Sequence, residues 1–208
     1  QLNLTFNKKQ DIIVALENKL KELKSSEFIL NSITFAGNGE PTIHPDFSEI
    51  VDDVIRLRNQ YFPKTIITCL SNSTMIGDEL IRNALLKLDN PWMKLDAGSQ
   101  KMFQLINQSF DKILVMDVVE NLQKMSGQIS IQTLMLRGLI DGEKIDNTQG
   151  EELDLWISHL EKIKPIRVIL YPIDRETPLS QIEKISKDEL EHIADRIRQK
   201  NMEVLVFS

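Results

Sequence analysis

Apolar positions along this chain switch repeatedly between helical and strand-like spacing. Ile12, Ile13, Leu16, Leu20 and Leu23 recur three and four residues apart with charged residues between them, the stripe of an amphipathic helix. Residues 32–36 form a short apolar run closed by Gly37, as a buried strand does. Phe47, Ile50, Val51, Val54 and Ile55 make the next helical face, with Pro45 and Asp46 marking its start. Residues 65–70 are β-branched and apolar and read as a second strand. A helix over 78–88 then precedes a short strand at 92–96. Val115, Val118, Val119, Leu122 and Met125 mark another helix, followed by a strand at 128–136. Leu153, Trp156, Ile157, Leu160 and Ile163 form a further helix, with a strand at 167–171 after it. Leu190, Ile193, Ala194 and Ile197 give the last helix, and 203–207 the last strand.

Strands and helices that alternate throughout argue an α/β fold around a parallel sheet, with right-handed crossovers. About six strands are counted, and the first visible element is a helix with no strand before it. A complete eight-unit barrel needs roughly 250 residues, and this chain has 208. The expectation is therefore a partial (βα)6 TIM-like barrel of parallel strands whose first strand is missing. It is expected to form one domain over 1–208 and to expose an apolar patch at the uncovered first edge.

Composition narrows the function classes. The 41% hydrophobic and 27% charged shares are those of an ordinary globular chain. No window approaches 18 uncharged apolar residues, which excludes a membrane-spanning helix, and Phe6 is followed at once by Asn7, Lys8 and Lys9, unlike a signal peptide. The net charge of −6 disfavours broad contact with phosphate backbones or anionic lipid. The single cysteine, Cys69, excludes an internal disulfide and fits a reducing cytoplasm.

In parallel α/β folds, ligands bind beyond the carboxyl ends of the strands. There the first strand is followed by Gly37-Asn38-Gly39-Glu40-Pro41-Thr42, whose glycines permit close backbone approach and whose glutamate adds an anionic acceptor. A plain βα turn explains the same residues. Ser71-Asn72-Ser73-Thr74 leaves the second strand, and capping or turn formation accounts for it equally well. Lys94-Leu95-Asp96 ends the third, as a charged site or a surface ion pair. Gln132, Thr133 and Arg137-Gly138 close the fourth, and a charged loop, Tyr171-Pro172-Ile173-Asp174-Arg175-Glu176-Thr177-Pro178, follows the fifth. Each signal is modest, but five successive polar strand ends converge on one polar cavity.

Other chemistries find less support. His44, His159 and His192 lie far apart in no metal-ligand spacing and read as helix-surface or capping residues. No nucleophile elbow or phosphate-binding P-loop occurs. Cys69 lies inside an apolar strand as an inert thiol, and Trp92 and Trp156 read as core.

Taken together, Ile33-Thr34-Phe35-Ala36-Gly37-Asn38-Gly39-Glu40-Pro41-Thr42-Ile43-His44-Pro45 resembles the Gly-Glu-containing segment of radical S-adenosylmethionine (radical SAM) enzymes. It is most similar to a bacterial subgroup of Fe–S oxidoreductases related to wyosine-type and activase-type enzymes. The other strand-end segments match that subgroup in order, so the resemblance covers nearly the whole chain. It implies a partial (βα)6 barrel. It also implies a [4Fe–4S] cluster held by a Cys-x3-Cys-x2-Cys loop after the first strand, and a SAM molecule cleaved to methionine and a 5′-deoxyadenosyl radical that abstracts hydrogen from substrate.

Carried over, the resemblance assigns cofactor binding to Gly37, Asn38, Gly39 and Glu40, to Ser71 and Asn72, and to Asp96, Gln132 and Arg137. Tyr171, Asp174 and Arg175 take the substrate rim. It implies a flavodoxin or ferredoxin as electron donor, and leaves a tRNA or protein substrate open. The three-cysteine motif is absent, so no metal ligand is assigned in this chain. Missing strand, missing motif and a Gln1 start suggest the C-terminal portion of such an enzyme, inactive alone. The alternative is a non-catalytic α/β barrel module that binds SAM or a phosphate-bearing ligand.

Overall fold

The computed structural model describes residues 5–36, 39–107, 113–173 and 181–207. The chain resolves into two compact units, Gln1–Ser71 with Asp78–Pro91, and Asn72–Gly77 with Trp92–Ser208.

In the first unit, α1 (Lys9–Ser25) follows from the stripe at Ile12 to Leu23 and buries Ile13 and Leu20. Strand β1 (Ser32–Phe35) pairs in parallel with β2 (Ile66–Ser71), in register from Ser32 opposite Ile66 to Phe35 opposite Cys69. A one-turn 3-10 helix, Pro41–Ile43, leads from β1 into α2 (Phe47–Tyr61), which buries Phe47, Ile50, Val51, Val54 and Leu57 and packs on α1. The Asp78 side chain accepts from Leu80 N at 2.8 Å and starts α3 (Glu79–Leu85). Where α2 gives way to β2, Arg58 donates to Thr65 O at 2.5 Å and to Asp89 Oδ2 at 2.9 Å, and the same carboxylate accepts from Ile67 N. That network satisfies backbone groups at the amino end of β2.

The second unit holds four parallel strands, β3 (Asn90–Lys94), β4 (Ser130–Met135), β7 (Arg167–Pro172) and β9 (Glu203–Val206), paired in that order. Around them run α4 (Gln100–Asn107), α5 (Val115–Gln123), α6 (Gly150–Ile163) and α7 (Lys187–Arg198). Helix α7 opens on a capping box in which Ser186 and Glu189 satisfy each other's backbone N–H groups. The core on the helix side of the strands includes Met93, Ile131, Val168, Leu122, Trp156 and Leu160. The loop after β3 touches α6 so closely that a Cβ on Gly98 would lie 2.5 Å from Trp156 N.

Six parallel strands alternate with helices, the α/β architecture that the periodicity predicts. Three features depart from expectation. A separate antiparallel sheet, β6 (Glu143–Asp146), β5 (Arg137–Ile140) and β8 (Ile182–Glu183), was not foreseen. Its hairpin turns at Asp141-Gly142, both at positive φ (51° and 81°), the pairing of residue types that such tight turns require. Helix α4 was also missed; through Met102, Leu105 and Ile106 it packs against Leu136 and against Ile140 and Ile145 of the small sheet. Finally, His159 is no surface histidine: it is 1% exposed, and its Nε2 lies 2.8 Å from Gly98 O.

Candidate functional site

At the carboxyl end of β1, Gly37 and Asn38 lie outside the described residues, whereas Gly39 and Glu40 are described. Glu40 Oε1 accepts from Thr42 N at 3.1 Å and from Thr42 Oγ1 at 2.5 Å, which starts the 3-10 turn and orients the carboxylate. Ser71, ending β2, is buried. Two residues earlier the Cys69 thiol is fully buried; burial first, then the Glu40 charge, pushes it up to about 12. His44 is held by Asn7 O at 2.9 Å and by Asp46 N at 3.0 Å, with the Phe6 ring edge-on against it. Beside β1, Phe6, Ile12, Leu16, Ile33, Phe35 and Ile43 are among the residues around an apolar groove of about 590 Å³. Among the described residues β1 pairs only with β2.

In the second unit, Asn72 Oδ1 accepts from Thr74 N and Thr74 Oγ1, and Ser73 takes a left-handed φ of 65°, so this loop is shaped by an Asx-turn. The strand register then sets the remaining groups. Lys94 lies opposite Gln132, Trp92 opposite Ser130, and Leu134 opposite Tyr171, and partnered residues project from the same face of the sheet. That face carries Trp92 and Gln132 midway along β3 and β4, and Lys94 and Tyr171 near the carboxyl ends of β3 and β7.

Asp96, two residues beyond the end of β3, has no side-chain exposure. Its Oδ1 accepts from Leu134 N at 2.8 Å, and its Oδ2 pairs with Lys94 Nζ at 2.9 Å. Burial raises the Asp96 carboxyl above its ordinary value, while Lys94 and the Leu134 N–H pull it down. The Asp96 charge raises the Lys94 ammonium against its own desolvation. The Tyr171 phenol is pushed up to about 12, by burial first and then by Asp96. Sequence reasoning missed Asn147: it is 2% exposed, accepts from Leu136 N, and donates to Asp96 O and Leu134 O. It locks the β3 loop to the end of β4, and an asparagine outside any motif carries no signal of that role.

Arg137 stands apart from this face in its bonding. It opens β5, donates to Glu189 Oε1 at 2.5 Å and lies 3.7 Å from Glu183, and the Glu189 carboxylate raises its pKa. Asp174 and Arg175 lie outside the described residues.

No protein-family model matches the sequence. A Brachyspira hyodysenteriae protein described as GTPase Obg is 30% identical over 178 residues, 83% of this chain and 24% of that protein. A Helicobacter pylori protein described as UPF0026 is 27% identical over 187 residues, 88% of this chain and 56% of its own length. A Synechocystis UPF0026 protein is 26% identical over 177 residues, 83% of this chain and 62% of its own length. The chain thus spans between about a quarter and three fifths of these curated relatives.

Among solved structures, a domain of a pyruvate-formate lyase-activating enzyme from Bacteroides vulgatus aligns at a TM-score of 0.63 and 14% identity, covering 86% of this chain and 99% of that one. Streptococcus suis SuiB bound to its precursor peptide SuiA aligns at 0.66 and 16% identity, over 99% of this chain and 43% of SuiB. A radical SAM methyltransferase from Sphaerobacter thermophilus aligns at 0.66 and 13% identity, over 97% of this chain and 57% of that one. At these identities the likeness establishes the fold, the partial TIM-like barrel.

Proposed function

We propose that this chain is the SAM-binding core of a radical SAM enzyme. The observation that carries the reading is the meeting of that fold with polar groups at successive strand ends: Gly39 and Glu40 after β1, Ser71 and Asn72 after β2, and Lys94, Asp96, Gln132 and Tyr171 in the second unit. Support for the cofactor comes from SuiB, one of whose structures is bound to S-adenosylmethionine. Gly37, Asn38, Gly39 and Glu40 are assigned to the methionine amino end of SAM, and Ser71 and Asn72 to its carboxylate or ribose. Asp96, whose oxygens are engaged by Leu134 N–H and Lys94, contributes by holding Lys94 in place.

The residues of this chain do not fit a [4Fe–4S] cluster. Such a cluster takes several cysteine thiolates, and the chain has one cysteine, with a buried thiol whose pKa is pushed far above neutral. Hydrogen abstraction and the flavodoxin- or ferredoxin-type electron donor are therefore proposed for a longer protein that supplies the cluster ligands. The substrate of that protein, whether a tRNA or a protein, is left to the chemistry of the second unit's polar face.

Isothermal titration of this chain with SAM tests the cofactor reading. Saturable binding that weakens at least tenfold in Glu40→Ala is expected. No heat at millimolar SAM, or unchanged binding in the variant, overturns it. For the longer protein, an upstream segment with three clustered cysteines that takes up iron and sulfide anaerobically is expected.

A further inference from the structure

His44 joins two parts of the first unit that lie far apart in the sequence. It caps the 3-10 turn Pro41–Ile43 after β1, and its ring meets backbone groups on both sides. Nε2 lies 2.9 Å from Asn7 O, 37 residues earlier, and Nδ1 lies 3.0 Å from Asp46 N. Both partners have fixed roles, since a carbonyl oxygen accepts and an amide N–H donates. The ring therefore carries its proton on Nε2 and keeps a lone pair on Nδ1, a neutral imidazole in one tautomer. A protonated ring donates from both nitrogens, and its second N–H would face the N–H of Asp46.

The bond to Asn7 fixes the segment that leads into α1. Phe6 stands edge-on to the His44 ring, with centroids 5.3 Å apart and planes at 65°. Thr5, Phe6 and Asn7 border the apolar groove together with Gly39, Glu40 and His44. The ring thus ties residues 5–7 to the turn that begins at Glu40.

We propose that His44 is a proton-operated latch: neutral, it holds residues 5–7 at the groove, and protonated, it releases them. Turning Nδ1 away from the Asp46 N–H carries Nε2 away from Asn7 O, because both atoms belong to one rigid ring. The surrounding charges give the turned ring one open partner. Glu40 is engaged by Thr42, and Lys9 of α1 pairs with Glu49 of α2 and lies 4.0 Å from Asp53. Lys8 stands on the released segment and repels an imidazolium. Asp46, two residues from the ring, makes no side-chain capping bond to α2, so its carboxylate is the acceptor. A bond between two charged groups is stronger than the neutral one it replaces. The latch stands on the geometry of the first unit and does not depend on the cofactor reading.

Histidine ring signals in a 13C,15N-labelled chain test it, because the two neutral tautomers and the imidazolium differ in ring nitrogen shifts. At pH 8, His44 is expected as the Nε2–H tautomer with cross-peaks between its ring and that of Phe6. At pH 5, across the range in which histidines titrate, the ring should be protonated and most of that cross-peak intensity lost. Protection of the Asp46 amide, corrected for the intrinsic effect of pH, should fall about tenfold or more. His44→Gln keeps an N–H donor for Asn7 O and does not titrate, so its Phe6 signals should hold still between the two pH values. His44→Ala should show released Phe6 signals at both; should it fail to fold, the glutamine variant carries the test. An Nδ1–H tautomer at pH 8, or a ring still neutral at pH 5, overturns the proposal. So does a protonated ring that keeps the Phe6 contact and the Asp46 protection, or an equal Phe6 change in His44→Gln, which assigns the change to another group.

Discussion

Asp96 and Asn147 show how much of the site is decided by single buried polar side chains. Between them they engage the backbone of Leu134 at both N and O, the N–H of Leu136 and the carbonyl of Asp96 itself. Removing either leaves buried groups unpaired, at about 1–3 kcal/mol for each group. Asn147→Ala is therefore expected to lower the unfolding free energy by about 3 kcal/mol, read from urea midpoints. A loss under about 1 kcal/mol would show that water replaces the side chain. Cys69 makes a second residue-scale prediction. Its thiol, up at about 12 in the fold against an ordinary 9.0, stays protonated where the unfolded chain would ionise. The native state then binds more protons, so stability falls as pH rises from about 9 toward 12, and Tyr171 pulls in the same direction. Native chain should resist alkylation by iodoacetamide at pH 8 and react on unfolding; labelling at the same rate in both states would contradict the burial.

At the scale of elements, the β3 loop and α6 meet in a close joint within the second unit. Gly98 N and Ser99 N donate to the Glu152 carboxylate, and Gly98 O meets the His159 ring. A Cβ at Gly98 would stand 2.5 Å from Trp156 N and 2.7 Å from Glu152 O, backbone atoms that cannot swing aside. Gly98→Ala should cost about 3 kcal/mol or more, and a chemical-denaturation midpoint within error of the parent would refute the packing. The same joint sets a pH dependence. Burial lowers the His159 pKa below its ordinary 6.5, so the unfolded chain binds the proton first. Stability is fully present above that value and is lost as pH falls through the lower folded value. His159→Gln should flatten the decline between about pH 6.5 and 5.

Elements also differ in how legible they are. The six parallel strands and six of the helices declare themselves by periodicity, since each buries one continuous face. The hairpin at Asp141-Gly142 carried its signal in the open, an Asp-Gly pair between Leu139-Ile140 and Ile145. It was hidden by reading Arg137-Gly138 as the tail of the fourth strand. Strand β8, two residues long, has no periodicity to read.

For the whole molecule, net charge, apolar surface and site act together. The groove beside β1, with Phe6 41% exposed at its rim, should bind the dye ANS and enhance its fluorescence, and Phe6→Ser should reduce the enhancement about twofold or more. An unenhanced dye would mean the groove is closed in solution. The −6 charge is not gathered into a basic stripe by any element described above, so this chain by itself is expected to hold tRNA only weakly at physiological salt. A sub-micromolar complex in filter binding would reverse that expectation.

Hydrophobic periodicity, a local property, was enough to specify α/β class, strand order along the chain and the location of polar residues at strand ends. Which of those polar residues meet was not local. Register put Lys94 opposite Gln132 and Trp92 on the same face, and a long-range contact made Asn147 the clasp of the site. Long-range pairing also drew Arg137 onto Glu189, whereas Glu40 and Asn72 form their turns locally, with Thr42 and Thr74 two residues on. Side-chain chemistry is written in the sequence; its neighbours are chosen by backbone pairing between strands dozens of residues apart, and only the folded sheet supplies that.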